Sequence, residues 1–315
     1  MDISILLCTY NRARSLQRTL ETLAALVIPP GLEVELLVID NNSSDDTAAV
    51  CQRAMFSGSL RYLFEAQQGK SNALNRGLAE STGAFVMFTD DDMDIEPDWL
   101  SLHWDAAQRG AAAGWFGGRI LPRWEGVPPP WFEKHAASDL AYLVGRFDLG
   151  SEEKALAGGV AGANMSIRRS AMVGLSFDAA LGRHGTGNVG GEEIDMVQQL
   201  RRRGHKGWYV PQAVMYHRIP APRMTEAYVR KWFAGDGRTE VRRNQVVRSH
   251  LWFGAARYYW KSLLVSGLKF CWGRLAGWSA MWLPAEIEMA KAWGVISECR
   301  EERRRARAEA TPVRS

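Results

Sequence analysis

The segment TDDDMD (89–94) brings Asp90, Asp91, Asp92 and Asp94 together directly after the apolar run AFVMF (84–88). Carboxylates this close repel one another, and burial at a strand end strengthens the repulsion. A solvated acidic turn would relieve it, and so would a bound divalent cation. A calcium loop starting at Asp90 would need glycine and glutamate where Ile95 and Ser101 stand. Mg²⁺ or Mn²⁺ asks for less: one or two carboxylates, with substrate phosphates completing the shell. Asp94 is expected to be only solvated. A second acidic group, Glu192, Glu193 and Asp195 in GGEEIDM (190–196), falls in the first turn of a predicted helix, where acids complement the helix dipole. His217 in VMYH (214–217) follows a strand-like run, where a satisfied surface or core histidine is the plain reading.

The elements that must position these groups are legible from periodicity. ISILLCTY (3–10), EVELLVID (33–40), LRYLFEA (60–66) and AFVMFTD (84–90) read as strands. Between them, Leu16, Leu20, Leu23 and Leu26 recur at helical spacing, and GKSNALNRGLAES (69–81) reads as a glycine-led helix. Ser43 or Ser44 is placed to cap a helix whose first turn carries Asp45 and Asp46. This order predicts an α/β fold with a doubly wound, mostly parallel twisted sheet flanked by helices. Ligands bind such sheets at the carboxyl ends of the strands, where TYNR (9–12), DNNSSD (40–45) and TDDD (89–92) fall. GGRILPRWEGVPPPWFEK (117–134) reads as a loop or a strand with a turn, and 158–171 as a glycine-dense loop entering a strand. Residues 190–204 predict a helix with Arg201–Arg203 in its last turn and Gly204 as its stop, and 206–219 a strand or strand pair broken at Pro211.

Taken together, TYNR, VIDNNSSDDT (38–47), GKSNALNRG (69–77), TDDD, GANMSIRR (162–169), GGEEIDM and VMYH resemble the family-2 glycosyltransferases over roughly residues 2–220. The resemblance implies the Rossmann-like GT-A fold and an inverting sugar transfer from a nucleotide-diphosphate sugar to a saccharide or lipid-linked acceptor, as in cell-surface polysaccharide synthesis. It implies that Thr9, Tyr10, Asn11 and Arg12 lie against the base and ribose, with Asp40 hydrogen-bonding the base. Lys70 and Asn75 would line the nucleotide side. Asp90 would face ribose and metal, Asp92 would be the direct ligand of Mn²⁺ or Mg²⁺, and His217 would complete the metal shell. Asp91 departs from the small residue common there. Glu193 matches the catalytic base, with Glu192 as the alternative and Asp195 in support. Gly162, Asn164 and Arg168 would form the acceptor side, where Asn164 could reach a sugar hydroxyl and Arg168 or Arg169 an acceptor phosphate.

Composition sets the remaining limits. A chain of 315 residues with 46% hydrophobic and 23% charged residues is globular rather than disordered. The expected division is a catalytic domain over 1–224, split near 115 into nucleotide-sugar and acceptor halves, and a helical Trp/Arg-rich region over 225–315. Residues 201–275 hold 16 Lys/Arg against 3 Asp/Glu, which suits an anionic partner. The stretch 251–284 mixes Trp, Leu, Lys and Arg as in-plane interfacial helices do, so a membrane surface is an expected partner. The opening MDISILLCTYNR lacks a signal-peptide pattern, and no run reaches membrane-spanning length. The expected location is therefore cytoplasmic, peripheral on the inner membrane face. Cys8, Cys51, Cys271 and Cys299 show no metal spacing and are expected as reduced thiols. GTGNVG (185–190) matches a dinucleotide fingerprint literally but lacks its βαβ context, and reads better as a loop beside the catalytic helix. Nucleic acid is not an expected partner, since no nucleic-acid motif accompanies the basic region. The tail after 298 reads as a solvated helix fraying into disorder. Two rival readings are a catalytically silent sugar-nucleotide or membrane-binding scaffold and a sugar-phosphate nucleotidylyltransferase. The second would need a glycine-rich loop where CTYNRARS (8–15) stands. Oligomeric state stays open.

Overall fold

Seven consecutive apolar or small residues, Ile3–Thr9, form strand β1, buried almost throughout as a strand covered on both faces must be. The computed structural model describes residues 1–109, 113–185 and 189–309, with side chains to residue 306. The chain divides into two compact units, one of 1–127, 144–185 and 191–220, the other of 128–143, 186–190 and 221–315.

In the first unit β1 leads to α1 (Ala13–Ala24), β2 (Val34–Asp40), α2 (Thr47–Arg53), β3 (Ser59–Phe64), α3 (Lys70–Glu80), β4 (Phe85–Asp90), β5 (Met93–Ile95) and α4 (Trp99–Arg109). Strand β6 (Ala113–Glu125) closes this run. Helix α5 (Pro130–His135) belongs to the second unit, and the first resumes with β7 (Lys154–Leu156), β8 (Met165–Arg168), α6 (Glu192–Arg202) and β9 (Lys206–Pro220). The nine strands form one sheet in the order β3-β2-β1-β4-β8-β6-β9-β5, with β7 also on β9. Strands β1 to β4 run parallel, as does β6 with β9, whereas β8 is antiparallel to both its neighbours. The core lies on both faces of the sheet. Leu16, Leu20 and Leu23 of α1 pack on one side with Ile5, Leu36 and Met87. Leu6, Leu37, Val86 and Ile167 face Leu74, Met196 and Leu200 on the other.

Three local expectations need correction. Helix α1 ends before Leu26, which is nonetheless buried. Helix α2 starts at Thr47, and neither Ser43 nor Ser44 caps it; Asp45 accepts from the Thr47 N–H at 3.1 Å and from the Ala13 N–H at 2.9 Å, serving two helix starts. Strand β9 is continuous through Pro211. Its ladder to β6 jumps from Val210 to Val214, so the residue without an N–H sits in a bulge and no sheet bond is lost.

The second unit contains α5, α7 (Glu226–Arg242), a short hairpin of β10 (Leu251–Trp252) and β11 (Ala255–Ala256), α8 (Arg257–Leu275) and α9 (Ser279–Glu309). Thr225 caps α7 by accepting from the Tyr228 N–H. Helices α7 and α9 touch through backbone at two glycines. A Cβ on Gly237 would lie 2.2 Å from the Lys291 carbonyl, and one on Gly294 2.1 Å from that of Ala234. Arg230–Glu286, Lys291–Asp236 and Arg242–Glu298 pairs flank the contact. All four cysteines are free thiols. Residues 186–188 of the GTGNVG loop and the last six residues of the tail lie outside the described residues.

Candidate active site

Parallel pairing of β1 with β4 sets Cys8 opposite Asp90, so Thr9 and the aspartates emerge at one sheet edge. The antiparallel pairing of β5 with β9 then sets Met93 opposite His217, bringing the histidine to the same edge.

Asp91 and Asp92 are buried there, and each is answered. Asp91 accepts from Thr9 Oγ1 at 2.8 Å and from Arg12 Nη1 at 2.6 Å. Burial is the main cause that lifts the Asp91 carboxyl above its ordinary value, against the pull of Arg12 and with the Asp92 charge adding to it. Asp92 Oδ2 accepts from the same Arg12 nitrogen at 3.0 Å and stands 3.3 Å from His217 Nε2. His217 Nδ1 lies 2.8 Å from the Val144 carbonyl oxygen, which can only accept. Neutral His217 therefore carries its proton on Nδ1 and turns the Nε2 lone pair toward Asp92. Two donor atoms converging in this way fit a divalent cation, with phosphate or water supplying the rest of its shell. Among the described residues no cluster of three or more His, Cys, Asp or Glu forms a ready-made cage.

Asp94 is not solvated. It is 7% exposed, accepts from Arg123 Nη1 at 2.6 Å and is paired with Arg218. Arg218 is itself 2% exposed and also donates to Thr19 Oγ1 at 2.8 Å and to the carbonyls of Ser15, Asp91 and Met93. Burial opposes ionisation of Asp94, but the two arginines outweigh it and hold its carboxyl below the ordinary value.

Beside the acidic edge a small pocket is lined by Lys70, Phe88, Asp90, Gly162, Glu192 and Glu193, among others. Lys70 Nζ lies 2.9 Å from Asp90 Oδ1 and 3.3 Å from Glu192 Oε1. Burial favours a neutral amine, yet Asp90, Glu192 and Glu193 keep Lys70 protonated well above its ordinary value. Glu192 Oε2 and Glu193 Oε2 are buried without a hydrogen-bond partner among the described residues. Burial first, and the Glu192 charge second, push the Glu193 carboxyl up to about 8, although Lys70 pulls the other way. Gly162 makes room for it, since a Cβ there would lie 3.2 Å from Glu193 Cβ. The start of α6 thus holds a carboxyl poised to exchange a proton near neutral pH.

The Glycosyl transferase family 2 model matches residues 4–174. The chain belongs to glycosyl transferase family 2. The succinoglycan biosynthesis protein ExoM of Rhizobium meliloti is 27% identical over 249 residues, 77% of this chain and 75% of that protein. The GalNAc(5)-diNAcBac-PP-undecaprenol beta-1,3-glucosyltransferase of Campylobacter jejuni is 30% identical over 35% of this chain and 36% of its own. The poly-beta-1,6-N-acetyl-D-glucosamine synthase of Staphylococcus epidermidis is 34% identical over 30% of this chain and only 23% of its own. Among solved structures, the mannosyltransferase PcManGT from Pyrobaculum calidifontis, in complex with GDP-Man and Mn²⁺, has a TM-score of 0.56 at 15% identity, covering 99% of this chain and 76% of that one. S. aureus TarS 1-349 has a TM-score of 0.52 at 14% identity, covering 97% and 92%. These likenesses establish a GT-A fold.

Against this family-2 frame the anticipated residues separate into two groups. Thr9, Arg12, Asp91, Asp92 and His217 form one connected cluster, and Lys70, Asp90, Gly162, Glu192 and Glu193 another. Asp40 lies at the end of β2, 2% exposed, accepting from the Ser43 N–H at 2.9 Å and from Tyr62 Oη at 2.8 Å. Asn11, at φ 50°, accepts from the Ser44 N–H at 2.7 Å and so ties TYNR to the loop after β2; Tyr10 beside it is half-buried.

Other assignments are displaced by the geometry. Asn164 does not face a cleft: it is fully buried, accepts from Trp99 Nε1 at 2.7 Å and His103 Nε2 at 2.9 Å, and donates to the carbonyls of Arg119 and Ala213. All four hydrogen bonds of a carboxamide are thereby used. Arg168 donates to the carbonyls of Ala113 and Ala107, and Arg169 to that of Gly83, so both tie strand ends rather than present a cation to an acceptor. Asn75 uses both ends of its amide on the Phe177 backbone, at 2.8 Å each, and so holds one wall of the pocket instead of lining it. Asp195 accepts from Gln199 Nε2 at 2.7 Å, one turn along its own helix. Sequence reading missed Arg218 and Tyr62. Arg218 carried one usable signal, a cation directly after His217 inside the end of a strand.

Proposed function

We propose that this chain is a metal-dependent, inverting glycosyltransferase that moves a sugar from a nucleoside-diphosphate donor to a hydroxyl of a saccharide or lipid-linked acceptor, in the synthesis of a cell-surface polysaccharide or glycoconjugate. The observation that carries this reading is the buried Glu193 oxygen, without a hydrogen-bond partner among the described residues, its carboxyl raised to about 8 in the same pocket as Asp90. Residues 1–224 would act as the catalytic domain and 225–315 as its helical companion, with the protein held at the cytoplasmic face of a membrane.

In this reading ionised Glu193 takes the proton of the acceptor hydroxyl as its oxygen bonds to the anomeric carbon, and the bond from that carbon to the diphosphate oxygen breaks. One displacement leaves the configuration inverted. Lys70 stays protonated and pairs with Asp90 and Glu192, while burial holds the Glu193 carboxyl at about 8. Asp92 and His217 would hold the cation, with Asp90 toward the ribose. Mn²⁺ or Mg²⁺ bound there would neutralise charge on the departing diphosphate. Arg12, against Asp91 and Asp92, keeps that edge folded around its carboxylates. Asp40 would accept from an N–H of the base.

The test is a panel of nucleotide sugars with saccharide and polyprenyl-linked acceptors, reading nucleoside-diphosphate release and the anomeric configuration of the product by NMR. A product of inverted configuration is expected. Retention would remove the single-displacement mechanism. Binding of a nucleotide sugar with no transfer to any acceptor would leave a silent scaffold.

A further inference from the structure

Residues 241–285 of the second unit contain seven Lys/Arg and no Asp or Glu. Three of these cations are paired to acids elsewhere in the unit: Arg242 with Glu298, Arg248 with Glu302 and Arg274 with Glu226. Arg257, Lys261 and Lys269 remain exposed on α8, with no ion pair among the described residues.

Between these cations the outer face of α8 is apolar. Leu264, Leu268, Trp272 and Leu275 recur at helical spacing and are 69%, 75%, 64% and 85% exposed, while Tyr259, Ser266 and Gly273 take the buried side. Packing within the unit does not account for such a stripe. The hairpin before α8 extends it. Phe253 and Gly254 form its turn at φ 44° and φ 98°. A bulky residue at positive φ is disfavoured, yet here it holds Phe253 out in solvent, beside Trp252 and edge-to-face with Trp260. Gly254 next to it stands at a φ that residues with a Cβ rarely adopt, and a Cβ there would lie 3.0 Å from Arg300 Cγ on α9.

We propose that α8 and the Phe253 hairpin form a docking surface for an anionic lipid bilayer, with α8 lying in the plane of the interface. An apolar stripe bordered by lysine and arginine and ending in tryptophans has the chemistry of that boundary: acyl chains take the leucines, anionic headgroups the cations, and indoles the level between them. A second copy of the chain answers this surface poorly. Two-fold pairing would bring a face bearing Arg257, Lys261 and Lys269 against an identical face that offers no acid. The inference deepens the membrane location given above and does not depend on the transfer chemistry.

Co-sedimentation of the full chain with vesicles of phosphatidylglycerol and phosphatidylcholine, against phosphatidylcholine alone, tests it. Binding should be at least about tenfold stronger to the anionic vesicles and should weaken with salt. Leu268→Glu and Trp272→Glu should each lower binding by about tenfold or more, Lys261→Glu with Lys269→Glu should remove the preference for anionic lipid, and Val127→Glu, on the first unit, should change nothing. Circular dichroism confirms folding of each variant, and donor hydrolysis without vesicles should be the same in Leu268→Glu as in the parent. Failure to bind, equal binding to neutral and anionic vesicles, or a dimer that Leu268→Glu dissociates in the absence of vesicle binding would each overturn the proposal. Loss of the transfer assay with vesicle binding intact would count against the enzymatic reading alone.

Discussion

Asp92 Oδ2 and His217 Nε2 stand 3.3 Å apart, with the imidazole proton committed on its far side to the Val144 carbonyl. A carboxylate and a lone pair facing each other are mutually unfavourable unless a proton or cation lies between them. The register Met93↔His217 imposes this approach, so it is built into the sheet rather than left to a loop.

The first prediction follows from that pair. Mn²⁺ should raise the melting temperature of the chain, and at about 100 times its Kd the gain should be about 2.7 kcal/mol. Asp92→Ala and His217→Ala should each lose most of this gain, and a chelator should abolish transfer. A metal-induced shift that survives in both variants, read by differential scanning fluorimetry, would move the cation elsewhere.

Glu193 gives a prediction with a sign. A base works ionised, so transfer should rise with pH through about 8, the value to which burial and Glu192 push this carboxyl. Glu193→Gln should lower kcat by about 10²–10⁴-fold while donor affinity stays, because only proton abstraction is lost. The same shift affects stability. The folded state holds the Glu193 proton more tightly than the unfolded chain, so this contribution is fully present below about 4.5 and is lost as pH rises through about 8. Glu193→Gln should therefore be more stable relative to the parent at pH 9 than at pH 5, as thermal melts at the two pH values would show. An unchanged pH profile in Glu193→Gln would pass the role to Glu192.

Much of this site could be read in the sequence because strand ends are. The apolar runs before Thr9, Asp40 and Asp90 fix which polar residues reach the binding edge. Periodicity carries no information on where a side chain finds its partner across the sheet. Asp94 looked solvated because its partner, Arg218, lies 124 residues away, and the two meet only through the β5–β9 ladder. The family resemblance offers Asn164 as a sugar ligand, but nothing in its sequence setting shows which way the amide turns. The 3₁₀ turn Gly162–Asn164 instead drives the amide into the core, leaving Gly162 to face Glu193.

Arg218 supplies the third prediction. Replacing it by leucine leaves Asp94 buried with only Arg123 and removes one donor each from the Asp91 and Met93 carbonyls, which keep Ser15 Oγ and Thr19 Oγ1. A loss of about 3–5 kcal/mol is expected in urea unfolding, and Asp94→Asn in the same chain should recover part of it. The Asp94 carboxyl is held low, so its contribution should persist above the ordinary carboxylate value and vanish only as pH falls through the depressed one. An Arg218→Leu variant as stable as the parent would mean that water replaces the guanidinium.

The last prediction separates a ligand role for Asn164 from a structural one. Its oxygen accepts from both Trp99 Nε1 and His103 Nε2, so His103 carries its proton on Nε2 and accepts a hydrogen bond from the Ser166 hydroxyl at Nδ1, 2.9 Å away. Burial lowers His103 to about 4, which keeps this ring neutral and the tautomer fixed at physiological pH. Asn164→Ala would orphan an indole N–H, an imidazole N–H and two carbonyls in a dry core, so a destabilisation of about 3 kcal/mol or more is expected. Because the amide touches no part of the pocket, acceptor KM should stay within about twofold of the parent in the fraction that remains folded at low temperature, whereas removing a bond to a sugar hydroxyl would weaken binding by about 0.5–1.5 kcal/mol. Unchanged stability with a raised acceptor KM would return Asn164 to the binding surface and refute the core network as its purpose.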